Sequence, residues 1–296
     1  MGTRQMRGSH FRQTLQIHLA KNAAVAANWR FAISALKRTI VLTSIVLGGL
    51  CQSALADDGV DTALIVSVDV SQSVDQDRYK LQMEGIAQAL EDPAVVAAIA
   101  GGEHGAILFS MVAWADKADF SLDWQRIASQ ADASKVAALV RSLPQKGGEF
   151  TCMGRMLHSV ATSVIPHIAV PAGRVVVDVS GDGVDNCNDQ HEVHAERDAV
   201  LATGATINGL PIIVAGENDI VGTGAYRAPG YGLRELSRES DQDGTTLDRW
   251  FTDHVVGGPG SFVLAAQGYA DFGRAFRRKF VTEVSALTWP DASDHR

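Results

Sequence analysis

Residues 62–70 form an almost unbroken apolar run, Thr-Ala-Leu-Ile-Val-Ser-Val-Asp-Val, with acidic residues before it. Strict alternation would mark a half-covered strand, whereas continuity marks one buried on both faces, as in a parallel sheet. Over residues 77–90 the period changes. Tyr79, Leu81, Met83, Ile86 and Leu90 recur at mostly helical intervals, which predicts a helix with one apolar face. Residues 105–114 and 118–124 are two further β-rich runs, and the Ala115-Asp116-Lys117 link between them predicts a hairpin at a sheet edge. Residues 134–143 read as a helix with Ser134 as N-cap. A Gly-containing loop over 144–150 then leads into a helix that starts near Thr151 and stops before Pro166.

The second half repeats the alternation. Residues 174–180 read as a buried strand, 190–202 as a helix and 206–215 as a strand, followed by a polar, Gly-rich surface loop over 216–230. Residues 233–251 look irregular or like a broken helix, 261–266 like the last strand, and 269–284 like a closing amphipathic helix with Phe272, Phe276 and Phe280 four apart. Strands alternating with helices predict a doubly wound α/β domain over residues 57–290. Its sheet is mostly parallel with helices on both faces and one antiparallel edge strand, and a short tail follows at 291–296. Ligands of such folds sit beyond the carboxyl ends of the strands. That rule points to the loops after Val70, before Thr151 and after Ser180.

Charge separates residues 1–56 from the rest. They hold seven Lys and Arg and no acidic residue, so the remaining 19 basic and 34 acidic residues leave a net −15 from Asp57 onward. Such a surface repels nucleic acid and anionic membranes. Lys37 and Arg38, the apolar residues 39–50 and Ala54-Leu55-Ala56 have the layout of a secretory signal cleaved after Ala56, which predicts a periplasmic or secreted product. The apolar stretch is shorter than the ~20 residues that span a bilayer, so no membrane span is expected after processing. Leu50 before Cys51 does not suit lipid attachment. Residues 1–36 read either as an extended leader or as sequence upstream of the true start.

Candidate chemistry gathers in the three loops. Asp69-Val-Ser71-Gln-Ser73 places a carboxylate and two hydroxyls on alternate residues, Thr151 adds a hydroxyl at a helix start, and Asp182 in Ser-Gly181-Asp-Gly183 ends another strand. Oxygen donors of this kind suit a hard cation, Mg²⁺ first, with Mn²⁺ or Ca²⁺ as alternatives. Asp185 and Asn186 read as a polar rim together with Gly181 and Gly183. After processing only Cys152 and Cys187 remain, each within five residues of a proposed ligand. They read either as two buried thiols or, preferably in an oxidising compartment, as one disulfide tying the two loops. His191-x-x-His194, with Glu192 or Glu196 nearby, has zinc-compatible spacing but lacks a third ligand, so solvated helix residues are the preferred reading.

The order Asp-x-Ser-x-Ser, then a Thr about 80 residues on, then a strand ending in Asp-Gly resembles the metal-ion-dependent adhesion site of von Willebrand factor A domains. Leu81-Gln82 with Gly85, Val112-Ala113-Trp114-Ala115, Val177 to Gly183, Ile207-Asn208-Gly209-Leu210, Val256 to Gly260, Phe272 and Lys279 resemble, more narrowly, an exported bacterial family of unknown function with this fold. The likeness covers residues 61–284. It implies a cation with one coordination place left for the Asp or Glu carboxylate of a partner protein, and no catalysis. A metal-dependent hydrolase or phosphatase, and a secreted structural module with an idle cation, are the alternatives. For the hydrolase, the residue two beyond Asp69 is Ser71 rather than the acid a phosphoaspartyl enzyme needs, and no Gly-x-Ser-x-Gly elbow or phosphate-binding Lys loop occurs.

Overall fold

The protein is described by a computed structural model over residues 59–187, 191–218, 220–221 and 245–285. The leader and signal segment lie outside the described residues. In chain order the elements are β1 (Val60–Asp69), α1 (Gln76–Glu91), α2 (Pro93–Ala100), β2 (Ile107–Trp114), β3 (Ala118–Ile127), α3 (Gln130–Ser142), α4 (Met153–Ser159), β4 (Ala172–Gly181), α5 (Val193–Ala202), β5 (Thr206–Pro211), the short pair β6 (Ile220–Val221) and β7 (Thr245–Thr246), α6 (Leu247–His254) and α7 (Tyr269–Ser285). Five strands form one sheet in the order β3-β2-β1-β4-β5. All neighbours are parallel except β3, which pairs antiparallel with β2 at the edge. The doubly wound architecture and its antiparallel edge strand are as expected.

β1 runs through the middle of the sheet, and each of its residues is buried. Successive side chains of a strand point to opposite faces, and both faces are covered. Leu64, Val66, Val68 and Val70 pack with Ile86 and Leu90 of α1 and Phe272, Phe276 and Phe280 of α7. Ile65 faces the other layer, with Val177, Val179, Met156, Leu157 and Phe251. This double burial is why β1 lacks polar alternation.

Two features fix α7 against the rest. A Cβ on Gly85 would lie 2.7 Å from the Gly273 Cα, so α1 and α7 cross with their backbones in contact. Further along α7, the fully buried Lys279 Nζ lies 2.7 Å from Asp178 Oδ1 of β4 and donates to Glu283 Oε1 one turn on. Asn208 of β5 donates to the same Glu283 oxygen at 2.7 Å.

Local departures from the expected elements have local causes. α3 begins at Gln130 rather than Ser134, because Ser129 caps it: its hydroxyl accepts from the Asp132 N–H at 3.2 Å and donates to the Asp132 carboxylate at 2.7 Å. α2 was not foreseen. Its sequence is apolar all round and so carries no periodicity, but Asp92 as N-cap and Pro93 in the first turn start it. The helix before Pro166 keeps regular α geometry only to Ser159 and then loosens into a π turn (Val160–Val164) and a 3₁₀ turn (Ile165–His167). β5 ends at Pro211, with one further bond to β4 from the Ile212 N–H to the Gly181 carbonyl at 2.9 Å; on its other edge Pro211 has no N–H to offer the 261–266 segment. The expected strand at 261–266 is reduced to isolated parallel bridges, Gly209 with Val263 and Ile212 with Ala266. Among the described residues no helix is long and apolar enough to cross a membrane.

Candidate metal centre

β1 and β4 are neighbours, so Asp69 and Asp182 emerge side by side at their carboxyl ends. The chain turns sharply after β1 because the Ser71 N–H donates to Asp69 Oδ1 at 2.7 Å, a self-closing Asx turn. That turn presents Ser71 and Ser73 with their hydroxyl oxygens 3.2 Å apart. Thr151 Oγ1 donates to Ser71 Oγ at 3.2 Å, and Ser73 Oγ donates to Asp182 Oδ1 at 2.7 Å. The five oxygen-bearing residues singled out in the sequence thus meet in one contiguous chain of contacts. Asp69, Ser71, Thr151 and Asp182 are buried and Ser73 is exposed, so the cluster opens on the Ser73 side.

Residues without a sequence signature hold the cluster in place. Tyr269, the first residue of α7, donates its hydroxyl to Asp182 Oδ2 at 2.8 Å. Arg78 of α1 lies 3.8 Å from the same oxygen, packs over the Tyr269 ring at 5.0 Å and makes a two-pronged ion pair with Glu217. Asn218 donates to the Asp182 carbonyl at 2.6 Å. Asp116, in the hairpin link, accepts the N–H groups of Glu149 and Phe150 at 3.0 and 2.8 Å and so shapes the loop that delivers Thr151. None of these carries a short-range motif; only their meeting in space marks them.

The four rim residues behave differently from one another. Gly181 and Gly183 flank Asp182, and a Cβ on Gly181 would sit 3.2 Å from Asp69 Oδ2. Asn186 accepts from the Thr151 N–H at 2.7 Å and returns its own N–H to the Thr151 carbonyl at 3.0 Å. Asp185 accepts from the Gly154 and Cys187 N–H groups at 3.1 and 3.3 Å. Asp185 and Asn186 therefore clasp the start of α4 to the loop after β4. Cys152 and Cys187 are joined by a disulfide with their Cα atoms 5.0 Å apart, across the same seam.

Asp69 Oδ2 is the clearest sign that the cluster is built for something more. It is fully buried and accepts no well-formed hydrogen bond. A buried carboxylate oxygen left so is costly unless a cation or proton meets it. Burial, reinforced by repulsion from Asp182, pushes the Asp69 carboxyl up to about 8. Burial and Asp182 likewise raise the Tyr269 phenol far above its ordinary range, so it stays a donor. Adjacent oxygens around Mg²⁺, at about 2.0–2.1 Å from the ion, lie about 2.9 Å apart. The contacts of 2.7 and 3.2 Å among Ser71, Ser73, Thr151 and Asp182 are of that size, so the donor set fits a hard divalent cation.

Residues 59–288 match the model of the family described as protein of unknown function (DUF1194). The chain belongs to this family. No curated protein matches it significantly. Among solved structures, this DUF1194 chain is similar to proximal thread matrix protein 1 from the mussel byssus, at 15% identity and a TM-score of 0.50, covering 77% of this chain and 47% of that one. It is also similar to the pilus adhesin SpaC from Lactobacillus rhamnosus GG, at 11% identity and a TM-score of 0.50, over 77% of this chain and 30% of that one. A von Willebrand factor type A structure from Catenulispora acidiphila is 16% identical over 76% of this chain and 43% of its own, with a TM-score of 0.46. The chain spans less than half the length of each. The likeness to the byssus protein and the pilus adhesin shows a shared α/β fold.

The disulfide makes a testable contribution. Its 35-residue separation corresponds to about 3–4 kcal/mol of unfolded-state restriction. The Cys152→Ser, Cys187→Ser double variant is therefore expected to melt lower, and mild reductant should bring the wild type to the same melting temperature. A wild-type melting curve unmoved by reductant would mean that the bridge restrains nothing.

Proposed function

We propose that this protein is an exported, divalent-cation-dependent protein-binding domain. Asp69, Ser71, Ser73, Thr151 and Asp182 hold Mg²⁺ or a similar cation, and an Asp or Glu carboxylate of a partner protein completes the site from the Ser73 side. The observation that carries this reading is the meeting of three hydroxyls and two carboxylates from three loops, with one carboxylate oxygen buried and unpartnered. When bound, the cation supplies a local positive centre on a chain that is otherwise net −15 from Asp57 onward, and a carboxylate is the natural hard donor for it. The residues around it divide the remaining work. Tyr269 and Asn218 orient Asp182, Arg78 tempers its charge, and Asn186 and Asp116 set the position of Thr151. The signal-like layout before Asp57 supports export, and the description of SpaC as a pilus adhesin supports a protein partner.

Three measurements test the reading. Calorimetric titration with Mg²⁺ or Mn²⁺ is expected to give one binding event in the wild type and a loss of roughly tenfold or more in affinity for Ser71→Ala; equal binding by both would remove the site. Capture of proteins from periplasmic extract is expected to fail in EDTA and in the Asp182→Ala variant. A partner retained in EDTA rules out capture through the cation. Turnover of generic phosphoesters above the Asp182→Ala background would favour a hydrolase instead.

A further inference from the structure

A second constellation of metal-ligating side chains lies apart from the five oxygen donors. His158 sits at the end of α4, Glu196 in the first turn of α5 and His191 two residues ahead of α5. The Glu196 carboxylate bridges the two imidazoles, with Oε2 3.0 Å from His158 Nδ1 and Oε1 2.8 Å from His191 Nδ1. The two rings lie 4.5 Å apart at a 44° tilt. The potential ligand atoms of all three residues fall within 4.8 Å of one another.

We propose that His158, His191 and Glu196 form a second metal site, selective for Zn²⁺ and similar borderline ions rather than for Mg²⁺. Two imidazoles and a carboxylate are a donor set that binds zinc with a fourth position left for water, whereas Mg²⁺ prefers oxygen alone. Around zinc, nitrogen and oxygen ligands at about 2.0–2.1 Å lie about 3.3 Å apart, so small adjustments of the 2.8 and 3.0 Å pairs admit the ion. Each neutral imidazole needs only to carry its proton on Nε2 for Nδ1 to coordinate.

The site is set up by the fold itself. A Cβ on Gly154 would overlap the His191 carbonyl oxygen, so only the absence of a side chain there lets the His191 backbone rest against α4. The Glu196 carboxylate is aimed between the two imidazole nitrogens. The helical His191-x-x-His194 pairing suggested by spacing is not the one formed. His194 turns to His254, with Nε2 2.6 Å from Nδ1 and the rings stacked at 4.8 Å, and the third ligand comes instead from His158, on another helix. A bound ion would join α4 to α5, close to the two segments already linked through Cys152 and Cys187.

The test uses untagged mature protein stripped with EDTA, dialysed, and titrated with Zn²⁺ by calorimetry and with Co²⁺ by visible absorption, both in millimolar Mg²⁺. Asp69→Ala separates this site from the first one. One equivalent of Zn²⁺ is expected in the wild type and in Asp69→Ala alike. It should weaken by roughly 100-fold or more in His158→Gln and in Glu196→Gln, beyond the 10–100-fold that loss of a merely supporting group costs. Glutamine keeps hydrogen bonding at both positions, and circular dichroism melts check that each variant is folded. Zinc binding that disappears in Asp69→Ala, or that survives both Gln substitutions unchanged, overturns the proposal.

Discussion

Replacing Lys279 with methionine is expected to destabilise the protein by about 3–5 kcal/mol at neutral pH, the usual cost of removing one partner from a buried ion pair. For a domain of this size that is roughly a 10 °C fall in melting temperature. The ammonium is fully buried between Asp178 of β4 and Glu283 of α7, while Asn208 of β5 holds Glu283 from the other side. Methionine fills the volume but leaves two carboxyls without a cation. The pH dependence follows from Asp178. Burial pushes its carboxyl up to about 7, against the pull of Lys279 and with the charge of Glu283 adding to the rise. Below about pH 4 the folded and unfolded chains both hold this proton; above it the unfolded chain releases it first, so the stability it contributes is lost as pH rises through 7. Without Lys279 one opposing pull is gone, and the loss continues to higher pH. Urea titrations at pH 5 and pH 8 should therefore show a wider gap between wild type and variant at pH 8. A gap independent of pH would mean that the lysine acts by packing alone.

Asp69→Asn is expected to move stability and cation binding in opposite directions. In EDTA the variant should be more stable than the wild type, by about 1–3 kcal/mol at pH 8, because it removes a buried charge repelled by Asp182 while keeping the oxygen that accepts from Ser71. The raised carboxyl gives the direction: its contribution to wild-type stability is lost as pH rises through about 8, so the advantage of asparagine grows between pH 5 and pH 8. In millimolar Mg²⁺ the order reverses. The wild type gains stability in proportion to the logarithm of cation concentration over Kd, and the variant does not. Melting curves in EDTA and in Mg²⁺ decide it. A variant less stable than the wild type in EDTA would show that Asp69 is a structural acceptor and nothing more.

The layered fold was legible because its core strands are continuous apolar runs, as in residues 62–70 and 174–180, and double burial leaves no other reading of that length. The donor set was legible because Asp69, Ser71 and Ser73 share one turn and Asp182 stands between glycines. What was not legible depends on contacts between distant residues. Tyr269 lies 87 positions from the Asp182 it holds and Asp116 lies 34 from Phe150; nothing in their neighbourhoods announces it. His158 was missed for the same reason, since spacing offers His194 as the partner of His191 and the fold chooses otherwise. α2 escaped because eight apolar-rich residues show no period.

The backbone contact between α1 and α7 has an evolutionary corollary. Because a methyl group at Gly85 would strike the Gly273 main chain, and one at Gly273 would crowd the Gly85 main chain, the two positions are expected to be inherited together. Kin that keep this helix crossing should hold glycine at both. A lineage that has substituted either one should show the pair of helices further apart, with compensating bulk elsewhere along their shared face.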